Sequence, residues 1–168
     1  MIQHRVELVD VHAHLFRVAL TIPNPAQNQI LKLAAWIPGS YLVREFSKQL
    51  QALTAKQNGK KIEVLQTDKN TWQFANSAAK PITITYLVYA FDASVRTAYL
   101  DGARGFFNGT SVFMRVIGQE DQPQQVMIDL PAALVKWRVA TSLRKLKSNI
   151  YQADDYDELA DSPFEMGE

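Results

Sequence analysis

The chain has 168 residues, 47% of them hydrophobic, with 18 Lys and Arg against 17 Asp and Glu and a net charge of +1. That length suits one ordinary domain, and the apolar fraction is enough for a core, which excludes a long disordered protein. The near-neutral total hides a split of +8 over residues 1–150 and −7 over residues 151–168, which fits neither a uniformly basic nucleic-acid binder nor a uniformly acidic chain.

The absence of cysteine excludes a disulfide framework, a thiol nucleophile and a Cys-ligated zinc. Met1 to Asp10 carries Arg5, Glu7 and Asp10, so it reads as neither a secretory signal nor an anchor. No run of about 18 apolar residues occurs. The expectation is a cytoplasmic chain with no membrane partner.

In chain order, Gln3–Val9 is the first expected strand. His14 to Ile22 alternates strictly, with His14, Phe16, Val18, Leu20 and Ile22 on one face. Such period-2 patterning with β-branched and aromatic residues suits a half-buried strand. Pro23-Asn24-Pro25 breaks it from a strand at Gln29–Ile37, and Pro38-Gly39 fits a type II turn. A short helical turn at Ser40–Phe46 is expected next, then a strand to Gln57. The spacing of Leu42, Phe46, Leu50 and Leu53 leaves one continuous helix as the alternative. Asn58-Gly59 signals a two-residue hairpin. Further strands are expected at Lys61–Thr67, Thr71–Ala75, Pro81–Phe91, Ser111–Ile117, Gln125–Leu130, Trp137–Ser142 and Ile150–Ala153. The sum is an all-β fold, an antiparallel β-sandwich over residues 1–153 with a short helical turn near 40–46. An acidic segment follows at 154–168.

Catalytic signatures are lacking. His4, His12 and His14 never stand four apart, so no helical H-E-x-x-H zinc site forms. His12 and His14 would share a strand face and could touch a metal jointly, but no third ligand is evident. An EF-hand loop beginning at Asp155 needs Gly where Ala160 stands and Glu where Met166 stands. Arg144-Lys145-Leu146-Lys147 is the one basic cluster, and it reads as a solvated turn without the aromatics that nucleic-acid binding needs. No catalytic residue, metal ligand or cofactor is assigned to this chain.

Three blocks stand apart from generic strand and turn. Residues 36–46 read W-I-P-G-S-Y-L-V-R-E-F. Residues 95–111 read V-R-T-A-Y-L-D-G-A-R-G-F-F-N-G-T-S. Residues 155–167 read D-Y-D-E-L-A-D-S-P-F-E-M-G. Minor signals accompany them: His14-Leu15-Phe16, Asp68-Lys69-Asn70-Thr71-Trp72 and Val139-Ala140-Thr141. Together, across essentially the whole chain, they resemble the N-terminal domain of the glycyl aminopeptidase family, PDZ-containing zinc metallopeptidases with a thermolysin-like catalytic domain.

The resemblance implies a longer parent, in which a β domain like this one precedes a catalytic domain with H-E-x-x-H and then a PDZ domain. Zinc and peptide substrate would belong to that catalytic domain, so none of its ligands falls on a position here. The chain itself would be a non-catalytic domain packing on the catalytic domain and shaping the active-site cleft. Candidate interdomain or cleft-wall residues are Trp36, Tyr41, Arg44, Phe46, Arg96, Tyr99, Asp101, Arg104, Phe106, Phe107 and Asn108. A buried Arg–Asp pair among the aromatics would fix the second block as a scaffold or as a wall of the cleft. Tyr156, Asp161, Ser162, Pro163, Glu165 and Met166 would form an interdomain segment ordered against the sandwich. The rival is a stand-alone β-sandwich that binds a peptide or sugar through exposed aromatics. A second rival is an enzyme site at His12 and His14.

Overall fold

Alternating burial organises the strands of the computed structural model, which describes residues 1–37, 39, 40 and 42–168. The elements run β1 (Ile2–Asp10), β2 (Leu15–Ile22), β3 (Ile30–Lys32), a 3₁₀ turn (Phe46–Gln49), β4 (Leu50–Gln57), β5 (Lys60–Ile62), β6 (Val64–Asp68), β7 (Thr71–Phe74) and β8 (Ile82–Tyr89). They continue with β9 (Ala98–Leu100), β10 (Arg104–Asn108), the short helix α1 (Gly109–Val112), β11 (Arg115–Val116), β12 (Gln124–Asp129) and a second 3₁₀ turn (Ala132–Leu134). The last are β13 (Arg138–Thr141), β14 (Arg144–Lys147), β15 (Ile150–Ala153), the helix α2 (Tyr156–Ala160) and β16 (Pro163–Gly167). Among the described residues no helix is long and apolar enough to cross a membrane.

The large sheet has eight strands in the order β14-β15-β12-β1-β2-β8-β4-β5. Two four-stranded sheets, β13-β16-β10-β9 and β11-β3-β7-β6, complete the fold. On β2, Phe16, Val18, Leu20 and Ile22 face inward and oppose Val88, Tyr86, Ile84 and Ile82 of β8. These residues share one continuous core with Leu31, Phe74, Phe107 and Phe164 from the small sheets. The pairings are antiparallel except β1 with β12, which is parallel. Alternation in sequence sets which side chains face inward but not strand direction, so this exception to the antiparallel expectation carries no local signal.

Asn58 and Gly59, at φ 50° and 74°, close the β4–β5 hairpin with Gln57 opposite Lys60. The helical turn lies at Phe46–Gln49, just after the expected place. Before it, Ser40 N–H donates to Ile37 O and Arg44 N–H to Ala35 O, which holds that stretch as a loop. Pro38, of the expected type II turn, and Tyr41 lie outside the described residues. The helix-like spacing of Leu50 and Leu53 has a strand cause. A bulge between Gln51 and Thr54 places Ala52 at φ 50° and inserts one extra residue into β4. The basic cluster is the exposed edge strand β14, not a turn. Lys and Arg along a free edge discourage pairing with other chains.

The acidic segment folds as part of the body. Asp155 caps α2, accepting from Glu158 N–H at 2.8 Å, and Glu158 in turn accepts from Asp154 N–H at 2.6 Å. Leu159, Phe164 and Met166 enter the core, and β16 pairs on both sides, with β13 and β10.

His4 is buried on β1 beside Phe113. Gln124 Nε2 donates to Gln122 O, so Gln124 Oε1 is left to accept from His4 Nε2 at 3.0 Å. Nδ1 is then an acceptor with no partner among the described residues. Burial pushes the imidazole pKa down to about 4 from its usual 6.5, against the opposing effect of the Gln124 bond. Because the folded value lies below the unfolded one, this contribution to stability is complete above about pH 6.5 and is lost as pH falls toward 4. Going from about pH 7 to pH 4.5 is expected to cost about 2–3 kcal/mol through this group. Urea unfolding at the two pH values checks this. His4→Leu should flatten the slope, and an unchanged slope would refute the assignment.

Candidate functional site

The outer face of the β13-β16-β10-β9 sheet gathers residues of the second and third blocks. Tyr99 lies opposite Phe106, Phe106 opposite Glu165, and Glu165 opposite Ala140. Their neighbours along each strand, Leu100, Phe107, Phe164 and Met166, point into the core. Gly105 sits under Met166, and a Cβ there would lie 3.2 Å from Met166 Cε. An aromatic row continues past the sheet edge: Phe91 stacks on Tyr99 at 5.5 Å and His14 on Phe91 at 3.9 Å between centroids. Phe91 is 53% exposed, so the row reaches solvent.

The expected buried Arg–Asp pair does not form. Arg104 crosses to Glu165 as a two-pronged pair, Nε to Oε1 at 2.6 Å and Nη2 to Oε2 at 3.0 Å, and its guanidinium lies 5.6 Å from the Phe106 ring centroid. Both partners are about half exposed, so the pair orients the face more than it stabilises the fold. Asp101 instead closes the β9–β10 turn. Its Oδ1 accepts from the Ala103 and Arg104 N–H groups, each at 2.8 Å, and its Oδ2 accepts from Tyr99 OH at 2.8 Å. These donors hold the Asp101 carboxyl below its usual range, and the bond to Asp101 raises the Tyr99 phenol. Arg96 is exposed on the connection before β9.

The first block lies beside this sheet. Arg44 and Phe46 meet Thr97, Ala98 and Ser111 around a cavity of about 130 Å³. Trp36 is 59% exposed, while Phe46 is buried. Tyr41 is outside the described residues. Asn108 is half-buried at the start of α1, its backbone N–H donating to Thr97 O at 3.0 Å and its O accepting from Ser111 Oγ at 2.8 Å.

The third block divides. Asp161 and Pro163 are exposed, and Glu165 reaches the outer face. Tyr156, Ser162 and Met166 are interior. Tyr156 OH donates to Phe113 O at 2.9 Å and Ser162 Oγ to Glu158 O at 2.7 Å. Phe107 is likewise interior, in contact with Phe16, Phe113 and Phe164. No local pattern marks Glu165 as the partner of Arg104, or Phe91 as a member of the aromatic row. Only the strand register brings them there.

The histidines are placed otherwise than the alternation predicts. His12 and His14 lie in a turn, with His14 at φ 58°, and not on a common strand face. His14 Nδ1 bonds Leu100 O, and its ring is covered by Phe91. Among the described residues no group of three or more His, Asp or Glu side chains is placed to hold a metal ion.

The architecture is shared with parts of larger peptidase chains. An M1 zinc metallopeptidase from Deinococcus radiodurans aligns at 9% identity with a TM-score of 0.53, over 99% of this chain and 41% of its own. Aminopeptidase A from Legionella pneumophila, solved with aspartic acid, aligns at 11% identity with a TM-score of 0.57, over 99% of this chain and 21% of its own. Those two likenesses are of fold alone. An aminopeptidase N family protein from Idiomarina loihiensis matches at 45% identity with a TM-score of 0.96. All of this chain aligns there, spanning 29% of that protein. No curated protein sequence matches. The sequence model of the peptidase M61 N-terminal domain matches residues 3–168. The chain belongs to that family and is an N-terminal domain of a peptidase family.

Proposed function

We propose that this chain is the non-catalytic β domain of a zinc-dependent aminopeptidase, and that it packs on the catalytic domain and forms one wall of its cleft. The observation that carries this reading is the outer face of the β13-β16-β10-β9 sheet. There the half-exposed Arg104–Glu165 pair lies across Phe106, which it covers, with Tyr99 alongside, beside β16. Aromatic and Arg side chains are the residues that anchor interfaces. Zinc, a PDZ domain and the bound peptide would belong to the rest of the polypeptide, because the three histidines here do not fit a metal. The outer face would orient the catalytic domain, and the adjoining loops would limit access to it.

The purified 168-residue chain should hydrolyse no aminoacyl substrate, with or without added zinc. Chelator-sensitive turnover by this chain would overturn the reading. In the longer polypeptide, Tyr99→Ser with Arg104→Ala should lower kcat/KM by about tenfold, the size of one lost interface contact. The second reading, a peptide- or sugar-binding module, rests on the stacked pair of half-buried Tyr99 and exposed Phe91. Saturable binding of an oligosaccharide or peptide by the chain alone, abolished by Phe91→Ala, would favour it.

A further inference from the structure

The cavity beside the outer face is a charged socket lined in part by Arg44, a residue with an unanswered donor. Its floor is apolar, from Phe46, Val88 and Ala98, and Arg44, Lys48, Glu45 and Asp92 are the charged residues around it. Arg44 Nε is buried and has no hydrogen-bond partner among the described residues. A guanidinium cannot shed its proton, so a buried N–H of this kind costs free energy until an acceptor arrives. The neighbouring acids are already engaged. Glu45 is held by Lys69 at 2.9 Å, which keeps its carboxyl pKa below the usual range, and Asp92 Oδ1 accepts from Ser94 N–H at 2.9 Å. Neither Arg44 nor Lys48 takes part in an ion pair among the described residues. The charged lining is therefore Arg44 and Lys48 against Glu45, which Lys69 already holds, and Asp92, which is engaged through one oxygen.

Its surroundings are apolar and exposed. Leu42 and Val43 on the loop before Arg44 are 67% and 79% exposed, and Val95, on the connection that supplies Asp92 and Thr97, is 69% exposed. A desolvated polar contact within an apolar surround is how interface anchors are built.

We propose that this socket receives one acidic side chain, Asp or Glu, projecting from the remainder of the peptidase polypeptide, and that Arg44 binds its carboxylate. This rests on the domain-packing reading above. The unanswered Arg44 donor commits the occupant to an acceptor, and the two oxygens of a carboxylate match the guanidinium fork. The cavity of about 130 Å³ has room for a single side chain, and its floor suits a methylene stem. In the Idiomarina loihiensis protein this domain is 29% of the chain, so ample polypeptide exists to supply the acid.

Nitrogen-15 NMR of the Arg44 Nε–H, assigned by its loss in Arg44→Lys, tests the socket in the 168-residue chain. Propionate should shift this signal and slow its exchange, with half-saturation at about 1–50 mM. Propionamide at the same concentration should not. Asp92→Asn should tighten propionate several-fold by removing the opposing charge. An unmoved signal, or an equal response to propionamide, overturns the proposal. In the longer polypeptide the Arg44 Nε–H should already be protected and insensitive to propionate, and Arg44→Gln should speed proteolysis between the domains at least fivefold. If Tyr99→Ser with Arg104→Ala loosens the polypeptide but Arg44→Gln does not, the packing reading stands and the socket fails. If propionate binds the chain alone but Arg44 is unprotected in the longer polypeptide, the occupant is wrong and the proposal fails with it.

Discussion

Gly109→Ala is expected to destabilise the domain by about 4 kcal/mol or more, or to prevent folding. A Cβ at Gly109 would lie 2.1 Å from Leu159 O and 3.0 Å from Ala160 Cα. Both are backbone atoms of α2, so no side-chain rotation relieves the clash. Nor is α2 free to retreat. Asp155 caps it, Tyr156 OH bonds Phe113 O, and Gly109 N–H itself donates to Ser162 O at 3.2 Å just beyond it. The demand is for space, since Gly109 is not among the residues with positive φ. Gly118 makes the contrast: its φ is 84° but nothing lies within 4 Å of its missing Cβ. Gly118→Ala should cost only about 1 kcal/mol, from backbone strain. Denaturant titrations of both variants would test this, and a loss under about 1 kcal/mol for Gly109→Ala would mean that α1 and α2 yield freely.

Phe107→Ala is expected to cost about 3–5 kcal/mol. The ring is fully buried, at centroid distances of 5.4 Å from Phe16, 5.6 Å from Phe113 and 4.9 Å from Phe164. It joins the large sheet, the stretch after α1 and β16, so truncation leaves a cavity that three separate elements would have to fill. Phe107→Leu, which keeps much of the volume, should recover more than half of the loss. A melting temperature of Phe107→Ala within a few degrees of the parent's would show that the site collapses and that the aromatic contacts contribute little.

The strands most legible in sequence are those with one wet face and one dry one. On β2 and β8 the apolar residues alternate without interruption, and the structure pairs them across their full length. β10 and β16 were hidden for two different reasons. In β10 both Phe106 and Phe107 are apolar, because one packs under Arg104 and the other fills the core. That erases the alternation. β16 lies within the acidic segment, where charge masks Phe164 and Met166. The bulge in β4 produced a helical spacing from a strand.

Of the candidate site, the residue blocks were visible as unusual runs, and their convergence around the β13-β16-β10-β9 sheet was not. Arg44 could be singled out from sequence, but its unanswered Nε depends on long-range packing. The Arg104–Glu165 pairing depends on the β10–β16 register. A sequence reading that favours the nearer acid, Asp101, misses that turn-closing N–H groups already occupy it.

The topology also bears on how the chain is made. β1 lies inside the large sheet, yet one of its neighbours is β12, and His4 bonds Gln124 across a separation of 120 residues. β16 is interior to its own sheet, between β13 and β10. Each end of the chain thus fills a central position, and such long-range pairing closes slowly. On the ribosome, β1 and β2 can form a hairpin early, but the far edge of β1 stays open until β12 emerges. An open apolar edge of that kind attracts other strands. Deleting β1 or β16 would strip a strand that is paired on both sides, and either loss is expected to harm the fold more than loss of the edge strand β14.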